Sequence, residues 1–313
     1  MSTSSAQPAA TSTANAPLAA QLSAAHVLLA LAVMFVWGTN FVIVKLALAH
    51  LPPLLMAALR FLLAALPLVF VLPRPRVPWR NLAAYGLVIG AGQFGLMFFA
   101  MTRYISPGLA SLVVQTQVFF TIGLAIFASG ERVRPFQIVA TLVAVAGLAI
   151  IGSHTDGHTT TAGVLMVLGG SLAWALGNMV SRAAGRVNVL AYMAWSSLFA
   201  VPPLVAMSLA LEGWPRIVAG LHDADGFTWG AVLWQSVGNT MFGYGAWAWL
   251  LARYPAAAVS PFALLVPVFG MGAAALWLGE PMPAWKLLAT ALVLGGLALN
   301  VLWPRWRARL RDG

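Results

Sequence analysis

The chain has 313 residues, of which 61% are hydrophobic and only 8% are charged, and its formal net charge is +10 at pH 7. Soluble domains carry about 25% charged residues, so the composition excludes a soluble globular domain and indicates that lipid is the main solvent. The basic residues are scattered singly or lie beside apolar segments, which argues against a nucleic-acid-binding surface. The absence of cysteine excludes disulfides and thiol catalysis.

The amino-terminal region, residues 1–26, consists mostly of small and polar residues and contains no Asp, Glu, Lys or Arg. This composition predicts a disordered tail, and it does not resemble a signal peptide because no basic stretch precedes an apolar core. Ten apolar segments follow, each close to the roughly 20 residues that a helix needs to cross the hydrocarbon. They are residues 27–48, 53–72, 82–102, 108–128, 135–152, 162–181, 190–211, 229–251, 257–278 and 284–303.

The pattern within these segments and the charges around them predict the topology. The apolar runs are continuous rather than alternating, which favours helices over a β-barrel. With the N-terminus in the cytoplasm, most Lys and Arg fall in the inside loops and in a basic tail at 304–313. The sequence therefore predicts an all-α integral membrane protein with ten transmembrane helices and both termini cytoplasmic. The basic residues predicted at the outer ends are Lys45, Arg103, Arg216 and Lys286.

The two halves of the chain resemble each other. "FASGERVRPFQIVATLVAVAGLAI" (127–150) matches "LWLGEPMPAWKLLATALVLGGLAL" (276–299) at Gly-Glu, Ala-Thr and Gly-Leu-Ala. The match predicts a first repeat at 27–152 and a second at 162–303, each with five spans. Because five is an odd number, the second repeat enters the membrane from the opposite side. Inverted repeats are typical of transporters, whose substrate site lies near the membrane midplane.

Several polar and aromatic side chains lie inside the predicted spans. Gln115 and Gln117 project about 200° apart on one helix. We expect Gln115 to face a hydrated cavity and Gln117 to bond a neighbouring helix, although the reverse assignment also fits the pattern. Amides suit a zwitterionic or neutral polar solute, but they also join membrane helices. The predicted substrate-binding residues are Trp37, Asn40, Gln93, Gln115, Trp174, Asn178 and Tyr244.

Charged residues are nearly absent from the spans. Arg60 is the only charge well inside one, and it is either a structural group that reaches backbone carbonyls or a functional group. All five histidines fall in the tail or loops, and no Asp or Glu lies mid-span. These absences argue against an intramembrane protease and a carboxylate-relay proton pump. No Walker motif is present, and nothing predicts a cofactor, a metal or an enzyme.

Four stretches carry a family resemblance: "VWGTNFV" (36–42), "GLASLVVQTQVFFT" (108–121), "SLAWALGN" (171–178) and "RYPAAAVSPFALLVPVFG" (253–270). Over residues 27–303 the chain resembles the EamA branch of the drug/metabolite transporter superfamily, and within it the bacterial exporters of O-acetylserine and cysteine. The resemblance implies a central cavity lined by spans 1, 3, 4, 6, 8 and 9. It also implies a secondary transporter of the inner membrane that exports small amino-acid metabolites by alternating access.

Two alternatives remain open at this point. One is export of other solutes, such as aromatic amino acids or drugs, and the other is a membrane scaffold that transports nothing. The expected partners are a small amino-acid-like solute and the lipid bilayer, with no nucleic acid. The sequence leaves the oligomeric state open.

Overall fold

The computed structural model describes residues 22–129, 134–154, 159–254 and 256–312, and regular secondary structure in these ranges is helical. A short helix (Trp214–Asp223) connects the seventh and eighth long segments. The ten long segments are α1 (Ala24–Ala47), α2 (Pro53–Val71), α3 (Trp79–Arg103), α4 (Pro107–Ala128), α5 (Pro135–Ser153), α6 (Thr161–Ala183), α7 (Val189–Glu212), α8 (residues 226–253), α9 (Ser260–Leu278) and α10 (Ala284–Asp312).

The ends of the chain differ slightly from the predicted bounds. Residues 1–21 of the predicted tail lie outside the described residues, and α1 begins at Ala24, three residues before the predicted first span. At the other end, α10 continues as a helix to Asp312 instead of ending at 303.

Nine of the described helices have the length and apolar composition needed to cross a membrane, and α8 does not belong to this set. The predicted span 229–251 lies within α8, which is long enough to cross. Its middle carries four polar residues, Gln235, Ser236, Asn239 and Thr240, and all four are buried. The all-helical class is confirmed, whereas the tenth crossing stays a prediction. A helix this polar is stable in lipid only when its polar face is turned toward protein.

Four of the long helices contain irregular stretches near their middle or at their start. The hydrogen-bonding pattern widens to a π-helix at Val88–Gly95 in α3 and at Trp234–Tyr244 in α8. It tightens to a 3₁₀-helix at Val114–Thr116 in α4 and at Ser260–Leu264 in α9. Such stretches re-aim side chains and often occur at functional sites.

The helices pack in a pattern that is the same for both halves of the chain. Helix α5 packs on α10 and α2 packs on α7. The counterparts in the two halves are five helices apart, so α1 corresponds to α6 and α4 to α9. Helix α1 packs on α9, and correspondingly α6 packs on α4. Helix α3 contacts α6 and α7, and its counterpart α8 contacts α1 and α2. Exchanging each helix of the first half with its counterpart in the second half therefore leaves these main contacts in place.

The start of α2 is capped by a buried carboxylate from the end of α7. Glu212 accepts hydrogen bonds from the backbone N–H groups of Leu54 (2.7 Å) and Leu55 (3.2 Å) and from the hydroxyl of Ser208. These N–H groups have no partner within their own helix, and the positive end of the helix dipole favours a carboxylate there. This contact fixes α2 against α7 at one end of the bundle.

We expect Glu212→Ala to lower the free energy of unfolding by about 1–3 kcal/mol, because it leaves two buried N–H groups without acceptors. The measurement is detergent-induced unfolding of the purified protein in mixed micelles. Asp223→Asn is the control, since Asp223 is an exposed acid nearby, and it is expected to change stability by less than about 0.5 kcal/mol. Equal stability of the two variants would contradict the capping role.

Candidate functional site

A central cavity of about 90 Å³ lies where α1, α3, α4, α6, α8 and α9 meet. Its wall contains polar groups from five of these helices and apolar side chains that include Phe41, Phe94, Met97 and Val266. The structure brings six of the seven predicted site residues together in this wall. They are Trp37, Asn40, Gln93, Gln115, Trp174 and Tyr244.

The seventh predicted residue, Asn178, does not line the cavity. Its Nδ2 atom donates to Oε1 of Gln117 at 3.2 Å and to Oγ1 of Thr121 at 3.1 Å. These bonds join α6 to α4, so Asn178 contacts a neighbouring helix here, and its predicted role in substrate binding stays a prediction. The predicted bond from Gln117 to a neighbouring helix is present, although Gln117 also lines the cavity.

The wall formed by α1 and α8 is built from amides and an indole. Asn40 and Gln235 exchange hydrogen bonds between their side-chain amides, and Nε1 of Trp37 donates to the carbonyl oxygen of Asn239 at 3.2 Å. The Trp37 ring also lies 5.2 Å from the ring of Tyr244, centroid to centroid. Asn239 and Tyr244 both belong to the π-helical stretch of α8, which therefore positions this wall.

Gln93 and Gln115 differ from the other amides of the site. No hydrogen bond from either side-chain amide to a protein group is found among the described residues, and both side chains line the cavity. Each carboxamide offers both donors and an acceptor to a small polar ligand. Gln93 is carried by the π-helical stretch of α3, and Gln115 by the 3₁₀ stretch of α4.

The cavity is small and uncharged. Its volume of about 90 Å³ is well below the roughly 300–1,000 Å³ of pockets that hold drug-sized ligands. The side chains that line it in the described part of the chain include no Asp, Glu, Lys or Arg. The cavity is therefore better matched to a small metabolite than to a drug-sized ligand, and neutral amides and aromatic rings would contact the bound molecule.

A second, end cavity of about 570 Å³ lies where α1, α3 and α9 finish and α4 and α10 begin. Glu280 lies in its wall and accepts hydrogen bonds from the Lys286 ammonium, the Ser106 hydroxyl and the backbone N–H of Gly108 (3.1 Å). These partners could not be predicted from the sequence, because Ser106 and Gly108 are more than 170 residues away from Glu280. No local pattern indicates the contact.

Comparison with known proteins places this geometry in context. The EamA-like transporter family matches residues 24–153 and again residues 161–302. A "Probable amino-acid metabolite efflux pump" of Salmonella typhimurium is 40% identical, and the alignment covers 90% of this chain and 97% of that protein. The protein of the same name from Escherichia coli K12 is 38% identical over 91% of this chain and 97% of its own length.

More distant relatives extend the comparison. An inner membrane transporter of Escherichia coli K12 is 26% identical over 87% of this chain and 89% of its own length. A solved crystal structure superposes with a TM-score of 0.61 at 20% identity, covering 91% of this chain and 99% of that one. At that identity the superposition supports the helical fold alone.

Proposed function

The chain belongs to the EamA-like transporter family, and on this premise we propose that it exports small amino-acid metabolites, of the O-acetylserine and cysteine type, across the bacterial inner membrane. The observation that carries the proposal is the central cavity, where helices of both halves bring neutral amides and aromatic rings together. The names of the two relatives at about 40% identity agree with this substrate class. The family points to a transporter rather than an enzyme.

The cavity chemistry suits a zwitterion. Carboxamide oxygens of Gln93 and Gln115 accept hydrogen bonds from an ammonium group, while their N–H groups donate to a carboxylate. Trp37, Trp174 and Tyr244 form rigid walls that exclude water and limit the size of the side chain. Because no carboxylate lines the central cavity in the described part of the chain, a cationic drug fits the site less well.

We propose alternating access between two inverted repeats as the transport mechanism. The family matches each half separately, and the main packing contacts among the helices have the same pattern in both halves. In the proposed orientation, with both termini cytoplasmic, the end cavity beside Glu280 opens toward the outside. Rocking of one half against the other would widen the central cavity and connect it with each face in turn.

A second candidate substrate class is the aromatic amino acids. The central cavity wall contains five aromatic residues, Trp37, Phe41, Phe94, Trp174 and Tyr244, and aromatic rings pack favourably against one another. Counterflow in proteoliposomes separates the candidates, with labelled O-acetylserine or cysteine outside and unlabelled competitors inside. If phenylalanine exchanges and neither O-acetylserine nor cysteine does, the central cavity remains the proposed site and aromatic amino acids replace the proposed substrate class.

We expect Gln93→Ala and Gln115→Ala each to raise the half-saturating substrate concentration in this assay about 10- to 100-fold, because each removes a hydrogen bond to a charged substrate group. Gln137→Ala is the matched control, since Gln137 contacts the backbone of Arg134 at the start of α5, away from the cavity. Unchanged transport by both cavity variants, at equal expression, would show that these amides do not contact the substrate.

A further inference from the structure

Arg60 of α2 is a fully buried cation, and no acidic side chain pairs with it in the part of the chain that the structure describes. Its side chain is 1% exposed. Among the described residues, its Nε and Nη1 atoms have no hydrogen-bond partner, and neither of the two ion pairs found there involves it. A buried charge without a counter-charge strongly destabilises a folded protein, so a charge of this kind inside a membrane segment is a candidate for ligand binding.

The surroundings of Arg60 place it directly behind the central cavity. The guanidinium carbon lies 3.7 Å from the centre of the Phe94 ring, and Nη2 donates to the Thr240 hydroxyl at 3.3 Å. The Tyr244 hydroxyl lies close enough to interact electrostatically with the guanidinium. Phe94 and Tyr244 also line the cavity. Both residues therefore lie next to the guanidinium and next to the cavity, and a displacement of either ring would be needed for the guanidinium to reach a cavity ligand.

We propose that Arg60 binds the carboxylate of the transported solute as the central cavity opens. This inference rests on the proposed function and deepens it, because it assigns the negative end of the zwitterion to one residue. Gln93 and Gln115 then hold the ammonium group through their carboxamide oxygens, and their N–H groups add to the contact with the carboxylate. The free Nε–H and Nη1–H groups provide charge-assisted hydrogen bonds, which are among the strongest in proteins.

A purely structural role for Arg60 makes a different prediction. If the guanidinium only stabilises α2 and α8 through Thr240 and Phe94, its loss weakens folding and affects all ligands equally. If it binds a carboxylate, its loss affects only ligands that carry one. The ratio of affinities for an acid and its amide therefore separates the two roles.

The experiment uses L-cysteine and L-cysteinamide, which differ in the carboxylate. Each is titrated against the purified full chain, and ligand-induced thermal stabilisation gives the half-saturating concentration. For the wild type we expect cysteine to bind about 10- to 100-fold more tightly than cysteinamide. For Arg60→Gln we expect this preference to disappear while cysteinamide binding changes less than about threefold. Arg253→Gln is the matched control, since Arg253 lies 3.9 Å over the Trp249 ring and is exposed.

The outcomes are distinct. If folded Arg60→Gln keeps the wild-type preference for cysteine, the assignment of Arg60 is wrong and the proposed export function stands. If the wild type binds neither compound and exchanges no amino acid in counterflow, the proposed function and this inference are both wrong. If Arg60→Gln does not fold, Arg60→Lys decides: a lysine keeps the charge but loses the planar donor geometry. We expect its preference for cysteine to fall about three- to tenfold, and an unchanged preference overturns the proposal.

Discussion

Lys286→Met is expected to lower the free energy of unfolding by about 3–5 kcal/mol, because it leaves the buried carboxylate of Glu280 without its counter-charge. The side chains of Lys286 and Glu280 are only 4% and 8% exposed. The ammonium also donates to the carbonyl oxygen of Pro281 at 3.2 Å, and Glu280 holds the start of α4 through Ser106 and Gly108. The pair therefore ties together α4 and the α9–α10 connection.

A double-mutant cycle with Glu280→Gln tests this expectation in micelles. The double variant Glu280→Gln/Lys286→Met removes both charges, so we expect it to be more stable than Lys286→Met alone. Arg103→Met is the control, since Arg103 lines the same end cavity but is exposed and should change stability by less than about 0.5 kcal/mol. A Lys286→Met variant as stable as Arg103→Met would show that the pair contributes little.

Gly270→Ala is expected to destabilise the protein by about 1–3 kcal/mol and to reduce transport, because α1, α4 and α9 meet at this glycine. A Cβ atom at Gly270 would lie 2.5 Å from the Ser111 hydroxyl oxygen and 3.2 Å from the carbonyl oxygen of Gly38. A Cβ atom at Gly38 would in turn lie 2.6 Å from the carbonyl oxygen of Val266. Glycine allows these helices to approach within backbone contact beside the cavity.

Gly272→Ala provides the matched comparison on the same helix. A Cβ atom at Gly272 meets nothing within 4 Å, so alanine there is expected to leave stability unchanged or to raise it by up to about 1 kcal/mol through its higher helix propensity. Thermal unfolding and counterflow are measured on both variants at equal lipid content. If Gly270→Ala behaves like Gly272→Ala in both measurements, the close approach at Gly270 is not required.

The fold could be predicted from the sequence to a large extent. Hydrophobicity and length predicted the helical class and the approximate bounds of the long helices, because both are properties of neighbouring residues. The family was also recognised from local motifs, and the family match confirms it. The eighth segment shows the limit of this reasoning: its polar residues lower its hydropathy, and only the folded chain reveals that they are buried against α1 and α2.

The candidate site could be predicted only in part. Helical spacing selected polar side chains inside the spans, and six of the seven meet in the central cavity. Spacing on one helix did not distinguish Asn178, which bonds Gln117 and Thr121, from residues that line the cavity. The direction in which an amide points depends on the neighbouring helix, and the irregular stretches of α3 and α8 change that direction further.

By itself, the sequence determined that this protein is a helical membrane protein of the EamA-like family, because composition, apolar length and motifs are local properties. Tertiary structure decided which groups act together: the amide pair of Asn40 and Gln235, the buried pair of Glu280 and Lys286, and the contact of Arg60 with Phe94. The physical reason is that burial and hydrogen bonding join residues far apart in the chain. Asn40 and Gln235, for example, are 195 residues apart.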